Sequence, residues 1–291
     1  MSMRRRMSEQ EMARGCELYR AGGSTYAVAR DLGVSHAAVG DMLKRRGVAC
    51  RSLSDSHRLY RLNQRFFSSL DCKVKAYWLG FLAGDGCVRA NEMRLQLQRR
   101  DRAHLERFLA DLGSTVPIHD RVVEVHGLVN GAYEISVVSL RSWQIVSDLA
   151  RFGVVQAKSF TVPWPAALEE GLLRHWCRGY VDANGSIDRH RDRTAAGGRA
   201  LNFAVTGNRR LLGHMQAYLM RACGLRRTKL DVTNPPEERI VTLRYCGNRQ
   251  VPRIWHFLYD YATVWLPRKR VELPRGARAP VTAALEGVQL P

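Results

Sequence analysis

The sequence predicts an α+β chain in two parts: a small all-α domain, then two pseudo-symmetric αββαββα repeats. Three observations predict it. A short run, WLGFLAGDG (78–86), has a relative at a constant offset of 99, CRGYVDANG (177–185). Each copy is followed by the same succession of strand and helix patterns. Before both, residues 8–47 carry three helix-capping signals in a row.

Ser8 with Glu11 forms a capping box that opens a helix over 8–21. Ser24 caps a short helix ending at Leu32, Gly33 makes the turn, and Ser35 caps a helix running to about Arg46. Ala27, Leu32, Val34, Val39 and Leu43 fall on one face. This is the outline of a helix-turn-helix, which an ordinary helical hairpin shares. In a major groove, His36, Ala37 and Asp41 would lie near base edges, and Lys44, Arg45 and Arg46 at phosphates. Residues 51–70, basic through Arg51, Arg58, Arg61 and Arg65, read as a linker.

The first repeat is expected over 71–163 and the second over 164–275, with an uninterpreted tail at 276–291. Each opens with the short motif on a helix, about 73–85 and 168–184. An alternating strand follows: Met93, Leu95 and Leu97 against Arg94, Gln96 and Gln98, then Leu201, Phe203 and Val205 against Asn202, Ala204 and Thr206. Each repeat continues with a helix ending at glycine (103–113, 211–224) and two strands. A last helix comes next (142–153, 252–262), and each repeat closes on a lysine, AKSFTVP and RKRVELP. Gly113 to Gly224 and Lys158 to Lys269 are both offset by 111, and Leu97 to Val205 by 108. Side by side, two such sheets would present a polar, basic face lined by Arg94, Gln96, Gln98, Arg100, Asn202, Thr206, Lys229, Asp231, Thr242 and Arg244. Arg and Gln suit the edges of G and A. A merely solvated sheet face has the same alternation.

The formal charge of +19 over 291 residues points to a polyanionic partner, most often nucleic acid. Seven cysteines without a CxxC pair indicate neither a disulfide framework nor a zinc site, and a reducing cytosol is the expected setting. No run approaches membrane-spanning length, MSMRRRMSEQ has no apolar stretch of a signal peptide, and no GxxxxGK phosphate loop occurs. Only six of the 46 basic residues are lysine, so Lys158 and Lys269 at equivalent points of the repeat stand out.

An acid in the last turn of a helix is electrostatically unfavourable. Gly80 and Gly84 lie on one helix face, matched by Gly179 and Ala183, and small residues at that spacing let two backbones come close. If the repeats pack through these faces, Asp85 and Asn184 emerge side by side. Adjacent oxygen donors of this type suit Mg²⁺, which needs only one or two protein carboxylates and keeps several waters. Such an ion between phosphate and water would activate the water and stabilise the leaving oxygen.

At these residues, and in the context AYWLGFLAGDGCV, RGYVDANGS and LYDYATVWLPRKR, the chain resembles the LAGLIDADG homing endonucleases over about residues 60–275. The resemblance implies a monomer whose two sheets form a DNA-binding saddle on a long, nearly non-palindromic duplex. It implies Mg²⁺-dependent hydrolysis of both strands, in a bacterial or phage-encoded protein of the cytoplasm. It makes Asp85 the metal-binding acid, lends the backbone carbonyls of Gly84 and Ala183 to the metal shell, and gives Lys158 and Lys269 the ordering of water and the balancing of transition-state charge. Arg99 and Gly207 fall near a polar position at the strand exit. Asn184 departs from the family, which has a second acid there. It keeps an oxygen but loses the charge, so slower double-strand cleavage, nicking of one strand, or DNA binding without cleavage are all open. The competing readings are a non-cleaving DNA-binding regulator on a degenerate core and an intron maturase.

Overall fold

The structure is a computed structural model, and it describes residues 7–21, 23–49, 59–124, 131–191, 199–234 and 237–269. The tail at 276–291 and residues 51–58 of the expected linker lie outside the described residues. The chain divides after Tyr60 into two compact units.

In the first unit, α1 (Glu9–Arg20), α2 (Thr25–Leu32) and α3 (His36–Arg45) begin at Ser8, Ser24 and Ser35, and each serine hydroxyl accepts a backbone N–H of the first turn. Gly33, at φ 64°, ends α2 in the left-handed region that favours glycine. Val28, Ala29, Leu32, Val39, Met42 and Leu43 are buried with Cys16 and Tyr19 of α1. Ala27, expected on this face, is exposed: the buried stripe of α2 starts one residue later, at Val28. Gly15 lets this core close, since a methyl group there would lie 2.9 Å from Leu32 and 3.0 Å from Met42.

The second unit holds both repeats. The first comprises α4 (Lys73–Asp85), β1 (Gly86–Arg89), β2 (Glu92–Gln98), α5 (Arg102–Leu112), β3 (His119–Glu124), β4 (Ala132–Arg141) and α6 (Trp143–Ala150). The second comprises α7 (Glu170–Asn184), β5 (Gly185–Arg191), β6 (Arg199–Asn208), α8 (Arg209–Cys223), β7 (Leu230–Asn234), β8 (Glu237–Cys246) and α9 (Gln250–Tyr259). Both sheets are antiparallel with the same order, β1-β2-β4-β3 and β5-β6-β8-β7. The expected αββαββα repeat is thus present twice. Helices α5 and α6 cover the apolar face of the first sheet, and α8 and α9 that of the second. The expected linker stops short of residue 70, because Phe66 and Phe67 are buried in this core.

The strand register corrects one equivalence. Gly86 pairs with Leu95 and Gly185 with Val205, so the offset at the second strand is 110 (205 minus 95), not 108. Alternation has period two, and a slip of two residues leaves the apolar pattern unchanged. Gly207 is therefore the counterpart of Leu97, and Arg99 that of Arg209.

The two repeats meet through α4 and α7, the most extensive helix contact among the described residues. A methyl group on Gly80 would overlap the Trp176 carbonyl, and one on Gly179 would overlap that of Tyr77. One turn on, a methyl on Gly84 would overlap the Ala183 side chain. Backbone thus rests on backbone, as the small-residue spacing predicts. Around this seam Tyr77, Trp78, Trp176 and Tyr180 are almost wholly buried.

Because the neighbour at Gly80 and Gly179 is main chain, it cannot move aside. Gly80→Ala and Gly179→Ala should each cost about 3 kcal/mol or more, seen in calorimetry as a Tm lower by roughly 6 °C or more. Gly213→Ala on α8, with no atom within 4 Å of the added methyl, should leave Tm unchanged or raise it by about 2 °C.

Candidate active site at the paired helix ends

Close approach of α4 and α7 brings their C-termini together. Asp85 is the last residue of α4 and Asn184 the last of α7, and each helix stops where a glycine begins the next strand. The Asn184 amide lies against the first helix: its Cγ and Nδ2 would both be 3.3 Å from a methyl on Gly84.

Two lysines reach these ends. Lys158 opens a single 3-10 turn after α6 and is buried, with 6% of its surface exposed. Its Nζ donates to the Gly84 carbonyl at 3.1 Å and to the Gly86 carbonyl. Lys269 closes the corresponding turn of the second repeat, and its Nζ donates to the Gly185 carbonyl. Each lysine therefore docks on the end of its own repeat's motif helix, where the free carbonyls of the last turn gather. The ammonium at a helix C-terminus answers the partial negative charge that makes an acid there unfavourable. Burial lowers the pKa of both, and Asp85 opposes that shift in each.

Asp85 is exposed at the end of α4, though neighbouring protein displaces part of its surrounding water. The loss of water around it raises its pKa to about 6, against the pull of Lys269, Lys158 and Arg268. Asn184 is half-buried and uncharged. The oxygen donors present are one carboxylate, one amide and backbone carbonyls, a hard set that fits Mg²⁺ and offers nothing to a soft metal. Among the described residues no group of three or more His, Cys, Asp and Glu side chains gathers as a cage. The Gly84 carbonyl is engaged by Lys158, so a cation using that oxygen would share it with the ammonium. Ala183 packs on Gly84 in the seam.

Arg268 gave no sequence signal, and Asp182, the sixth residue of CRGYVDANG, reads in sequence as a helix-end hydrogen bonder rather than a cation ligand. Arg268, beside Lys269, donates from Nε to Asp101 at 2.7 Å and so ties the second repeat's lysine turn to the start of α5 in the first. Asp182, the motif's sixth position, is fully buried. It accepts from Tyr77 (2.8 Å), from Tyr259 (2.6 Å) and from the Leu266 backbone N–H (2.7 Å). It serves neither a cation nor its own helix end; it joins α7 to α4, α9 and the segment leading to Lys269. His104 completes the chain at 2.9 Å from the Tyr77 hydroxyl, kept neutral by burial that lowers its pKa to about 3. Tyr77 donates to Asp182, so His104 Nε2 is the donor to Tyr77. Arg178, one turn before Asp182, is also buried and donates to the Val264 and Leu258 carbonyls at 2.9 and 3.0 Å. Only the i, i+4 spacing of Arg178 and Asp182 foreshadows this network.

The expected nucleic-acid face divides. Gln96, Gln98, Arg100 and Arg244 are exposed, Arg244 lying 3.6 Å from Asp231. Arg99 is exposed, with Glu134 at 3.5 Å and Asp120 at 3.8 Å. Arg94 is half-buried, donating to Ser139 at 3.3 Å and Glu92 at 3.1 Å. Asn202 and Thr242 do not face out. Asn202 is buried between Asp188 at 3.4 Å and Cys246 at 3.3 Å, and Thr242 is buried with Thr206 at 3.1 Å. Both are short side chains on central strands, where cross-strand neighbours cover them; the longer Gln96 and Arg244, also on central strands, reach past theirs. Lys229 is exposed, on the rim of a groove between α8 and β7 with Arg209, Arg221 and Arg227. In the N-terminal unit His36 stacks on Tyr26 with centroids 4.4 Å apart, Lys44 and Arg45 are exposed, and Arg46 is paired with Glu9.

These features define a two-repeat protein whose polar chemistry collects where the inter-repeat helices end. Solved structures similar to it include LAGLIDADG meganucleases. I-AabMI bound to uncleaved DNA has a TM-score of 0.43 at 14% identity, covering 67% of this chain and 86% of its own. I-SmaMI bound to uncleavable DNA has 0.43 at 13%, covering 67% and 86%, and I-CpaMI bound to uncleaved DNA 0.41 at 14%, covering 65% and 85%. No family model matches the sequence, and no curated protein matches it.

The raised pKa of Asp85 has a measurable sign. Between its ordinary value of 3.8 and about 6, the folded chain holds a proton that the unfolded chain has released, so stability falls as pH rises through that window. Asp85→Asn removes the burden. Its thermal stability should exceed that of wild type by an increment that is absent below about pH 4, builds up to pH 6 and is constant above, measured by calorimetry across that range.

Proposed function

We propose that the protein is a site-specific DNA endonuclease, hydrolysing phosphodiester bonds of a long duplex target with Mg²⁺. The observation that carries this reading is the meeting, at two packed helix ends, of a single carboxylate, an amide and two lysines, one buried and one half-buried, from equivalent points of a repeat. The overall charge of +19 supplies the attraction to the phosphate backbone.

In this reading Asp85, with Asn184 and the backbone oxygens beside them, holds the metal. Bound Mg²⁺ supplies Lewis acidity at the phosphate and lowers the pKa of attacking water. Asp85 is ionised at neutral pH, above its pKa of about 6. The Lys158 ammonium has three donors and spends two on Gly84 and Gly86, leaving one for water or a phosphate oxygen. Lys269 spends one on Gly185 and keeps two. Both supply positive charge where the pentavalent phosphorus species gathers negative charge. Lys158, Lys269, Arg268, Asp85 and Asp101 together sum to +1. A divalent ion enters such a cluster favourably when a phosphate enters with it, so cation affinity should depend on bound DNA. The N-terminal helices would add contacts through Lys44 and Arg45, α3 lying in a major groove.

A second reading, a DNA-binding regulator without cleavage, is favoured by the one neutral ligand, Asn184. A supercoiled plasmid bearing a duplex selected by binding from a random pool separates the two. Wild type with Mg²⁺ should cut it, and Asp85→Asn should cut at least about 10³-fold more slowly, the several kcal/mol a metal site contributes. Lys158→Met and Lys269→Met should each slow cutting while leaving binding intact. If Asn184 biases the enzyme to one strand, open circles accumulate before linear product, and Asn184→Asp shortens that lag. Tight binding with an intact plasmid would overturn the enzyme reading.

A further inference from the structure

Neither lysine turn is held by its own repeat alone. The Lys158–Phe160 turn closes where the Val162 N–H donates to the Lys158 carbonyl at 2.8 Å. The Val162 carbonyl in its turn accepts from Asn208 Nδ2, also at 2.8 Å. Asn208 belongs to the second repeat and immediately precedes α8. A second contact crosses at the same place: the Arg239 guanidinium, from β8, lies over the Phe160 ring, 4.5 Å from its centroid. In the other direction, Arg268 of the Lys269 turn donates to Asp101, which immediately precedes α5 in the first repeat. In each repeat, then, the residue before the helix that follows the second strand is bonded to the lysine turn of the other repeat.

Asn208 makes two bonds of opposite kind, and this accounts for its identity. Its Oδ1 accepts the Leu211 N–H at 2.9 Å and so caps α8, while its Nδ2 serves Val162. The cap alone would be made as well by Asp or Ser. Asp has no donor for a carbonyl, and Ser is too short to reach from the cap to Val162. The side chain is buried, so water does not replace a lost bond there. Asp101 makes no capping bond; its buried carboxylate is given to Arg268 instead.

The Lys158 ammonium is fixed at its tip by the Gly84 and Gly86 carbonyls and at its base by the turn from which the side chain springs. A shift of that turn draws the ammonium away from the helix end. We infer that Asn208 is a positioning residue for Lys158 across the repeat boundary, and that the two lysine turns are clamped reciprocally, each by the repeat that does not supply it. The packing of α4 on α7 sets the helix ends, and the crossed contacts set the lysines against them. The consequence for cutting rests on the endonuclease reading above; the clamp itself is independent of it.

The test uses the full-length protein carrying Asn208→Ser, which keeps a capping hydroxyl and removes the bond to Val162. With six lysines in the chain, ¹H–¹³C NMR spectra of lysine-labelled protein resolve few signals. Those of Lys158 and Lys269 are identified by their loss in Lys158→Met and Lys269→Met. Asn208→Ser should move the Lys158 side-chain signals toward those of a solvent-exposed lysine and leave those of Lys269 in place. Arg239→Gln, at an exposed position, removes the second crossing contact and should move the Lys158 signals as well. Lys158 signals that stay in place, or that move together with those of Lys269, overturn the inference. The second readout is the rate of cutting the selected duplex. Asn208→Ser should slow it about 3- to 10-fold, the value of one neutral hydrogen bond. The same factor should appear in a Lys269→Met background, and less than about 2-fold in a Lys158→Met background, where there is no ammonium left to position. Equal slowing in all three backgrounds overturns the inference. Wild-type protein that binds the duplex and leaves it uncut overturns the endonuclease reading, and the lysine spectra still report separately on the clamp.

Discussion

The contact of one helix backbone with another, Gly80 on Trp176 and Gly179 on Tyr77, is the constraint from which the rest of the second unit follows. It sets the separation of the repeats. It makes their helices end at the same place, each handing the chain directly to a strand. Two helix C-termini in contact concentrate unsatisfied carbonyls, and Asp85 adds a full negative charge to them. Lys158 and Lys269 answer this by donating to the carbonyls of Gly84, Gly86 and Gly185. The lysines are thus structural and chemical at once: the bonds that stabilise the helix ends also hold the ammonium groups beside the one carboxylate.

Around this centre the second repeat contributes more of the framework than the first. Asp182 binds α7 to α4 through Tyr77 and to α9 through Tyr259, and it fixes the approach to Lys269 through Leu266. Arg268 extends the same turn to Asp101 across the repeat boundary. The first repeat has Ala83 where the second has Asp182, and needs no equivalent because one buried acid serves both. Asymmetry therefore reaches well beyond the acid–amide pair. The repeats share a fold and a lysine, and they divide the remaining work between an exposed carboxylate and a buried network.

Much of this was legible in the sequence, and the reasons are local. Serine caps, helix-ending glycines and two-residue alternation are set by neighbours a few residues apart, so the helices and the inner strands could be read directly. The Gly80/Gly84 and Gly179/Ala183 spacing announced the seam, because only small residues permit it. What escaped depends on distant contacts. The four-residue β1 is too short to show a period, so it could be counted in the repeat but not placed. The offset between the second strands was misread by two residues because alternation cannot detect that slip. Asn202 and Thr242 have the polarity of an exposed face, yet their neighbours across the sheet cover them. Asp101 lies outside every motif, and the place of Arg268 in RKRVELP says nothing of their pairing, which joins residues 167 apart in the chain.

On the proposed function, a divalent cation binds where α4 and α7 end, and binds more tightly when DNA is present. Localised oxidative cleavage tests it most directly: Fe²⁺ takes the place of Mg²⁺ in the complex with the selected duplex, and hydrogen peroxide then generates radicals at the bound ion. Chain breaks are expected beside Asp85 and Asn184, dependent on DNA and suppressed by excess Mg²⁺. Breaks elsewhere, or breaks at the helix ends that are unchanged when DNA is left out, would contradict it.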